Sequence, residues 1–146
     1  MSRHARILDQ LKRNTVALIS LVVAVTGLTY NTWRNEQSEF NRNQREAAFE
    51  LLLKLAELDE VVNLSQYDSG SMAADDLKKG WALVNTIDVL TSILAEPMPA
   101  AGDRLLASWS EHSPELGGAD EKPVTAIRGD IDQLQNDIVL LLRSLE

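Results

Sequence analysis

The feature that most constrains this chain is an uncharged segment of 20 residues, Asn14 to Trp33. An α-helix of that length is roughly 30 Å long, which matches the hydrocarbon thickness of a bilayer. The middle of the segment, Val16 to Leu28, consists mainly of Val, Leu, Ile and Ala. Tyr30 and Trp33 follow at the edge, where aromatic rings favour the headgroup region. The segment therefore predicts a helix that spans the membrane and contacts lipid, with Tyr30 and Trp33 at the interface.

Two other interpretations of this segment are a cleaved signal peptide and the buried helix of a soluble protein. A signal peptide ends in small residues at a cleavage site, but no A-x-A pattern follows the apolar run. The chain continues instead as TYNTWRNEQSEF, without Gly or Pro, which is typical of one helix leaving the membrane. A buried soluble helix does not account for the basic flank and the aromatic edge. A retained anchor is therefore the preferred interpretation.

The distribution of basic residues predicts the orientation. Residues 1–13 hold four Lys/Arg against one Asp, whereas three arginines follow the span within a short distance. Basic flanks stay in the cytoplasm, and acidic residues have little weight in this rule. We therefore expect a single-pass protein of the bacterial inner (plasma) membrane, with its C-terminal domain in the periplasm.

The C-terminal part of the chain is acidic. From Arg34 onward it has 10 Lys/Arg against 21 Asp/Glu. Such a domain repels phosphate backbones, so nucleic acid is not an expected partner. Cysteine is absent, which excludes disulfides, zinc–thiolate sites and thiol catalysis.

The apolar spacing after the span predicts helices only. Residues 34–46 are polar on nearly every face and are typical of a solvated helical stalk. The following helix carries apolar residues at 3-4-3-4 spacing, which predicts a buried face: Ala48, Leu51, Leu55, Leu58 and Val62, widened by Phe49, Leu52 and Leu53.

Three further helices complete the prediction. One covers about 72–95, a short one about 100–111 follows Pro97 and Pro99, and the last begins near Val124 after a cap at Asp120. The last has the most regular spacing, with apolar residues at Ile127, Ile131, Leu134, Ile138, Leu141 and Leu145. We predict an all-α chain with a basic tail (1–13), a transmembrane helix (14–33), a stalk (34–46) and an acidic antiparallel helical bundle (47–146).

Two series of residues suggest self-association. Ala17, Ser20, Ala24 and Gly27 recur at 3-4-3 spacing in the span, and small residues on one ridge let helices pair closely in lipid. Gln37, Phe40 and Gln44 belong to a second series that could form the seam of a parallel coiled coil. A homo-oligomer is therefore one possible assembly. For the second series, a solvated monomeric stalk is the alternative.

Few residues of the bundle invite a binding role. Asp88 follows Trp81 on an otherwise apolar line. It lies either at the bundle edge or in a polar contact that fixes the helix register or binds a ligand or partner. Trp81 and Trp109 either form core together with Tyr67 or line a ligand pocket. His112, with two nearby acids, falls short of a metal set. No catalytic, cofactor or metal site is expected.

The blocks YNTWRNE (Tyr30 to Glu36) and NRNQR (Asn41 to Arg45) resemble a group of uncharacterised single-pass bacterial membrane proteins. The likeness covers about a quarter of the chain, from the span into the following helix. It implies a bacterial membrane anchor and assigns no functional residue.

Together these observations favour a non-enzymatic helical module that is anchored in the membrane and binds a protein partner. The alternative is a sensory or small-ligand-binding bundle, whose pocket would lie near Trp81, Asp88 and Trp109. An enzyme is disfavoured because no nucleophile–base pair can be assembled from the sequence.

Overall fold

The computed structural model describes residues 14–67 and 72–145, and within them it contains α-helices, one short 3-10 helix and no strand. The α-helices are α1 (Thr15–Ser65), α2 (Ala74–Ser92), α3 (Met98–His112) and α4 (Lys122–Ser144), and the 3-10 helix is Ser113–Glu115. The predicted all-α fold, with a long apolar N-terminal helix and a small helical bundle, is confirmed. The predicted basic tail, 1–13, lies outside the described residues.

The chain divides into two units between Phe40 and Asn41, inside α1. In the first unit, every described residue from Asn14 to Phe40 is exposed. This part of α1 contains one stretch that is long and apolar enough to cross a membrane, and none of that stretch is buried. The absence of burial there does not support the alternative of a soluble core helix.

The second unit is an antiparallel bundle. Asp59 of α1 pairs with Arg128 of α4 at 3.0 Å, and the Arg45 side chain donates a hydrogen bond to the carbonyl of Leu145. The residue numbers on the two helices run in opposite directions, so α1 and α4 are antiparallel. Arg104 of α3 approaches an oxygen of the α4 carboxylate at Asp137 to 3.9 Å.

Glycine allows α2 and α3 to approach each other closely. A Cβ atom at Gly80 of α2 would overlap the six-membered ring of the Trp109 indole in α3. A Cβ atom at Gly102 of α3 would overlap the Thr91 side chain of α2. Both positions are therefore occupied by the residue type that leaves room for the neighbouring helix.

The core lies along one face of each helix. The predicted α4 face is buried from Val124 to Leu141, and Leu145 packs against the core while remaining partly exposed. All five residues of the predicted 3-4-3-4 series on α1 are fully buried: Ala48, Leu51, Leu55, Leu58 and Val62. The helical periodicity therefore identified the main buried faces correctly.

Three apolar residues predicted to be core are exposed. Phe49 is 59% exposed and Leu53 is 61% exposed, because at 3.6 residues per turn both lie on the side of α1 opposite its buried face. Tyr67, expected to cluster with the tryptophans, is 85% exposed in the turn after α1. Leu52, which lies beside the buried series, is half-buried and packs against the core.

The helix ends differ slightly from the predictions. Helix α3 begins at Met98, two residues earlier than expected, and α2 is shorter than the predicted 72–95 at both ends. The residue before α4 is Glu121, so Asp120 is not the cap residue; its carboxylate instead accepts a hydrogen bond from the Lys122 amide at 3.0 Å. That bond satisfies one of the free amides at the start of α4, which is the purpose the predicted cap would have served.

Candidate functional site

The predicted packing ridge in the span lies open on the first unit. Ala17, Ser20, Ala24 and Gly27 are all exposed, and a Cβ atom built on Gly27 would meet nothing within 4 Å. A second helix could therefore approach the backbone of α1 here without steric hindrance from the described chain. Pairing through this ridge stays a prediction.

The predicted interface residues form a shallow aromatic surface. The rings of Tyr30 and Trp33 lie 6.2 Å apart with a tilt of 46°. They border a groove that also includes Val25, Thr26 and Thr29. The Thr29 hydroxyl donates to the Val25 carbonyl at 2.9 Å, so it is satisfied within the helix, as an apolar environment requires.

The three residues of the predicted coiled-coil seam differ in solvent exposure. Gln37 and Phe40 are exposed, whereas Gln44 is only 6% exposed. The Gln44 amide donates to the carbonyl of Ile93 at 3.0 Å and accepts from the amide of Ala95 at 2.9 Å. Gln44 therefore joins α1 to the segment that directly follows α2 within one chain, and its amide is not available to set the register of a second helix.

Trp81 and Trp109 contact each other within the packed interior, which agrees with the core alternative, although the exposed Tyr67 is not part of that core. Their ring centroids lie 6.5 Å apart at an interplanar angle of 90°, the edge-to-face arrangement that aromatic pairs prefer. Trp109 is fully buried and Trp81 is half-buried. Because the Trp109 ring fills the space over Gly80, the pair leaves little room for a ligand between α2 and α3.

Asp88 is neither buried in the core nor fully exposed. The residue is half-buried on α2, and its carbonyl accepts a hydrogen bond from the Thr91 hydroxyl at 2.8 Å. This placement agrees with the edge position considered for Asp88. A role in binding stays a prediction.

An exposed, largely apolar surface that the sequence pattern did not predict runs along α1. We name it the α1 outer face and define it by five exposed residues: Phe49, Leu53, Ala56, Glu60 and Leu64. Their 4-3-4-4 spacing places them on one side of the helix, opposite the buried series. This spacing is present in the sequence, but there Phe49 and Leu53 fit a widened buried face equally well, so the pattern alone does not distinguish the row from core.

No family model, curated protein or solved structure matches the chain. The function must therefore be inferred from the geometry of the molecule.

Acidic residues border the α1 outer face. Lys54 forms ion pairs with Glu57 at 2.8 Å and with Glu50 at 3.8 Å. The hydrogen bond from Lys54 to Glu57 raises the pKa of Lys54; burial opposes this shift, and the charges of Glu57 and Glu50 add to it. Lys54 is thus held in its charged form by its own helix.

The described residues contain no group of three or more His, Cys, Asp or Glu side chains placed to hold a metal ion. The α1 outer face places exposed apolar side chains, Phe49, Leu53 and Leu64, along one side of a single helix. Its apolar side chains and adjacent carboxylates are suited to noncovalent contact with another macromolecule.

Proposed function

We propose that this protein is a non-enzymatic, membrane-anchored module that binds a protein partner through its helical bundle. The observation that supports the proposal best is the α1 outer face, where Phe49, Leu53 and Leu64 remain 49–61% exposed, whereas the opposite side of α1 is buried from Ala48 to Val62. Isolated exposed apolar residues are common, but a row along one helix face is typical of interaction sites.

The same helix contains the stretch that is long and apolar enough to cross a membrane. We propose that this stretch anchors the protein in the bacterial inner membrane, with the bundle in the periplasm. The basic tail and the absence of a cleavage pattern support this location. Reporters fused after Glu146 that are active on one side of the membrane test the orientation; activity on the cytoplasmic side would reverse it.

Site-specific photo-crosslinking tests the partner proposal. A photoreactive amino acid replaces Leu53 in the full chain, in native membranes, and a matched probe replaces Leu140 of α4, which is 62% exposed compared with 61% for Leu53. We expect a discrete protein adduct from position 53 and none of the same mass from position 140. Lipid adducts alone, or the same adducts from both positions, would contradict the proposal.

One observation favours a second candidate function, the binding of a small ligand within the bundle. The indole N–H of Trp109 and the hydroxyl of Ser113 are buried without a hydrogen-bond partner among the described residues, and such groups are uncommon in native interiors. This function ranks second because the Trp109 ring itself fills the space over Gly80. A metabolite that raises the melting temperature of the full chain, but not of Trp109→Phe, would support it.

A further inference from the structure

The α1 outer face combines an apolar row with an excess of negative charge. From Glu46 to Tyr67 the sequence has five acidic residues and one basic residue, Lys54. Lys54 is already paired with Glu50 and Glu57. The surface therefore offers no mobile cation to a partner along this stretch.

Two of the acidic residues remain available for a partner. Asp59 pairs with Arg128 at 3.0 Å and accepts a hydrogen bond from Asn63 at 3.0 Å, so it is used within the bundle. Glu46 and Glu60 are exposed and have no ion pair among the described residues. At 3.6 residues per turn, both lie on the same side of α1 as Leu53.

The charges of Glu46 and Glu60 determine which kind of partner can bind this apolar helix face. An anionic lipid surface would be repelled by Glu46 and Glu60. A second copy that packed on this face in parallel would place Glu60 opposite Glu60 and Glu46 opposite Glu46. Like charges in register are unfavourable, so self-association through this face is disfavoured.

We propose that the α1 outer face binds a basic amphipathic helix of a partner protein. The apolar side of that helix packs on Phe49, Leu53 and Leu64, and its Lys or Arg side chains pair with Glu46 and Glu60. An amphipathic helix recognises a complementary apolar surface through residues on successive turns. The row from Phe49 to Leu64 is roughly 22 Å long, which corresponds to about four turns of the partner helix. This inference rests on the proposed function and adds the chemistry of the partner to it.

Designed peptides test the charge requirement with the full chain in nanodiscs of zwitterionic lipid. One labelled peptide is an 18-residue amphipathic Leu/Lys helix; the other has the same leucines and Glu at every Lys position. Binding is measured by fluorescence anisotropy and corrected with empty nanodiscs. We expect the Leu/Lys peptide to bind about tenfold or more tightly than the Leu/Glu peptide, and the difference to shrink as salt is raised.

Variants test whether the α1 outer face is the binding surface. Leu53→Ser should weaken binding of the Leu/Lys peptide about tenfold or more, as expected when one leucine is lost from an interface. Leu140→Ser, which removes an equally exposed leucine from α4, should leave binding unchanged. Glu60→Lys should weaken the Leu/Lys peptide and strengthen the Leu/Glu peptide. Circular dichroism of each variant verifies that the helices are retained.

Several results would overturn this inference. Equal binding of both peptides would contradict the requirement for a basic partner. Equal losses of affinity in Leu53→Ser and Leu140→Ser would contradict the α1 outer face as the binding surface. A photo-adduct from position 53 that consists of two copies of this chain would show that a second copy, and not a basic helix, binds the α1 outer face. The proposed function fails separately: it falls if position 53 gives no protein adduct in native membranes, whatever the peptides show.

Discussion

The close contact between Gly80 and Trp109 predicts that a Gly→Ala substitution changes the free energy of unfolding differently at Gly80 and at Gly129. In a helix interior, Ala is more favourable than Gly by about 0.8–1 kcal/mol. At Gly129 of α4, a Cβ atom would meet nothing within 4 Å, so Gly129→Ala should stabilise the protein by roughly that amount. At Gly80, a Cβ atom would overlap the Trp109 ring. Overpacking of this kind costs about 1–3 kcal/mol, so Gly80→Ala should be less stable than Gly129→Ala by about 1–3 kcal/mol.

The assay is urea unfolding of the full chain in detergent micelles, followed by tryptophan fluorescence. A Trp33→Phe background leaves only Trp81 and Trp109 of the bundle as reporters. The difference between the two alanine variants isolates the overpacking cost, because the gain in helix propensity is common to both. A Gly80→Ala variant as stable as Gly129→Ala would refute the close packing of α2 on α3.

A double-mutant cycle locates the cause of the penalty. The atoms that a Cβ at Gly80 would overlap belong to the six-membered ring of the Trp109 indole. Phenylalanine is smaller there, so the cost of Gly80→Ala should fall in a Trp109→Phe background. A penalty of unchanged size would mean that the substitution acts on the backbone of α2 and not through the ring.

Three further predictions follow from the contacts of α1. Gln44→Ala removes two hydrogen bonds that join α1 to the segment following α2 and should cost about 1–3 kcal/mol in urea unfolding; an unchanged midpoint would contradict this link. Leu55→Ala should cost about 2–5 kcal/mol because Leu55 is fully buried, whereas Leu53→Ala should stay within about 0.5 kcal/mol; equal losses would contradict the assigned faces. The hydrogen bond to Glu57 raises the pKa of Lys54 above its ordinary value of 10.5. The stabilisation from charged Lys54 is therefore complete below pH 10.5 and is lost as the pH rises through the raised pKa. The stability difference between wild type and Lys54→Met should therefore shrink in strongly alkaline solution, and a difference that grows there would contradict the shift.

Features that depend on local chain geometry could be predicted from the order of residues alone. The uncharged run from Asn14 to Trp33 specified a helix of membrane-spanning length, because the rise per residue is constant. The 3-4 spacing of α4 specified its buried face, since residues three and four apart always share one side of a helix. The spacing of Ala48 to Val62 did the same for α1.

Only the tertiary structure decided how wide each buried face is and which polar residues it includes. Phe49 and Leu53 have the same hydrophobicity as core residues, but no neighbouring helix covers their side of α1 in the described structure. Gln44 lies in a polar stretch and is nevertheless buried, because its hydrogen-bond partners, Ile93 and Ala95, are about 50 residues away along the chain. Local periodicity contains no information about partners at that separation; it is the packing of α2 beside α1 that brings them within reach.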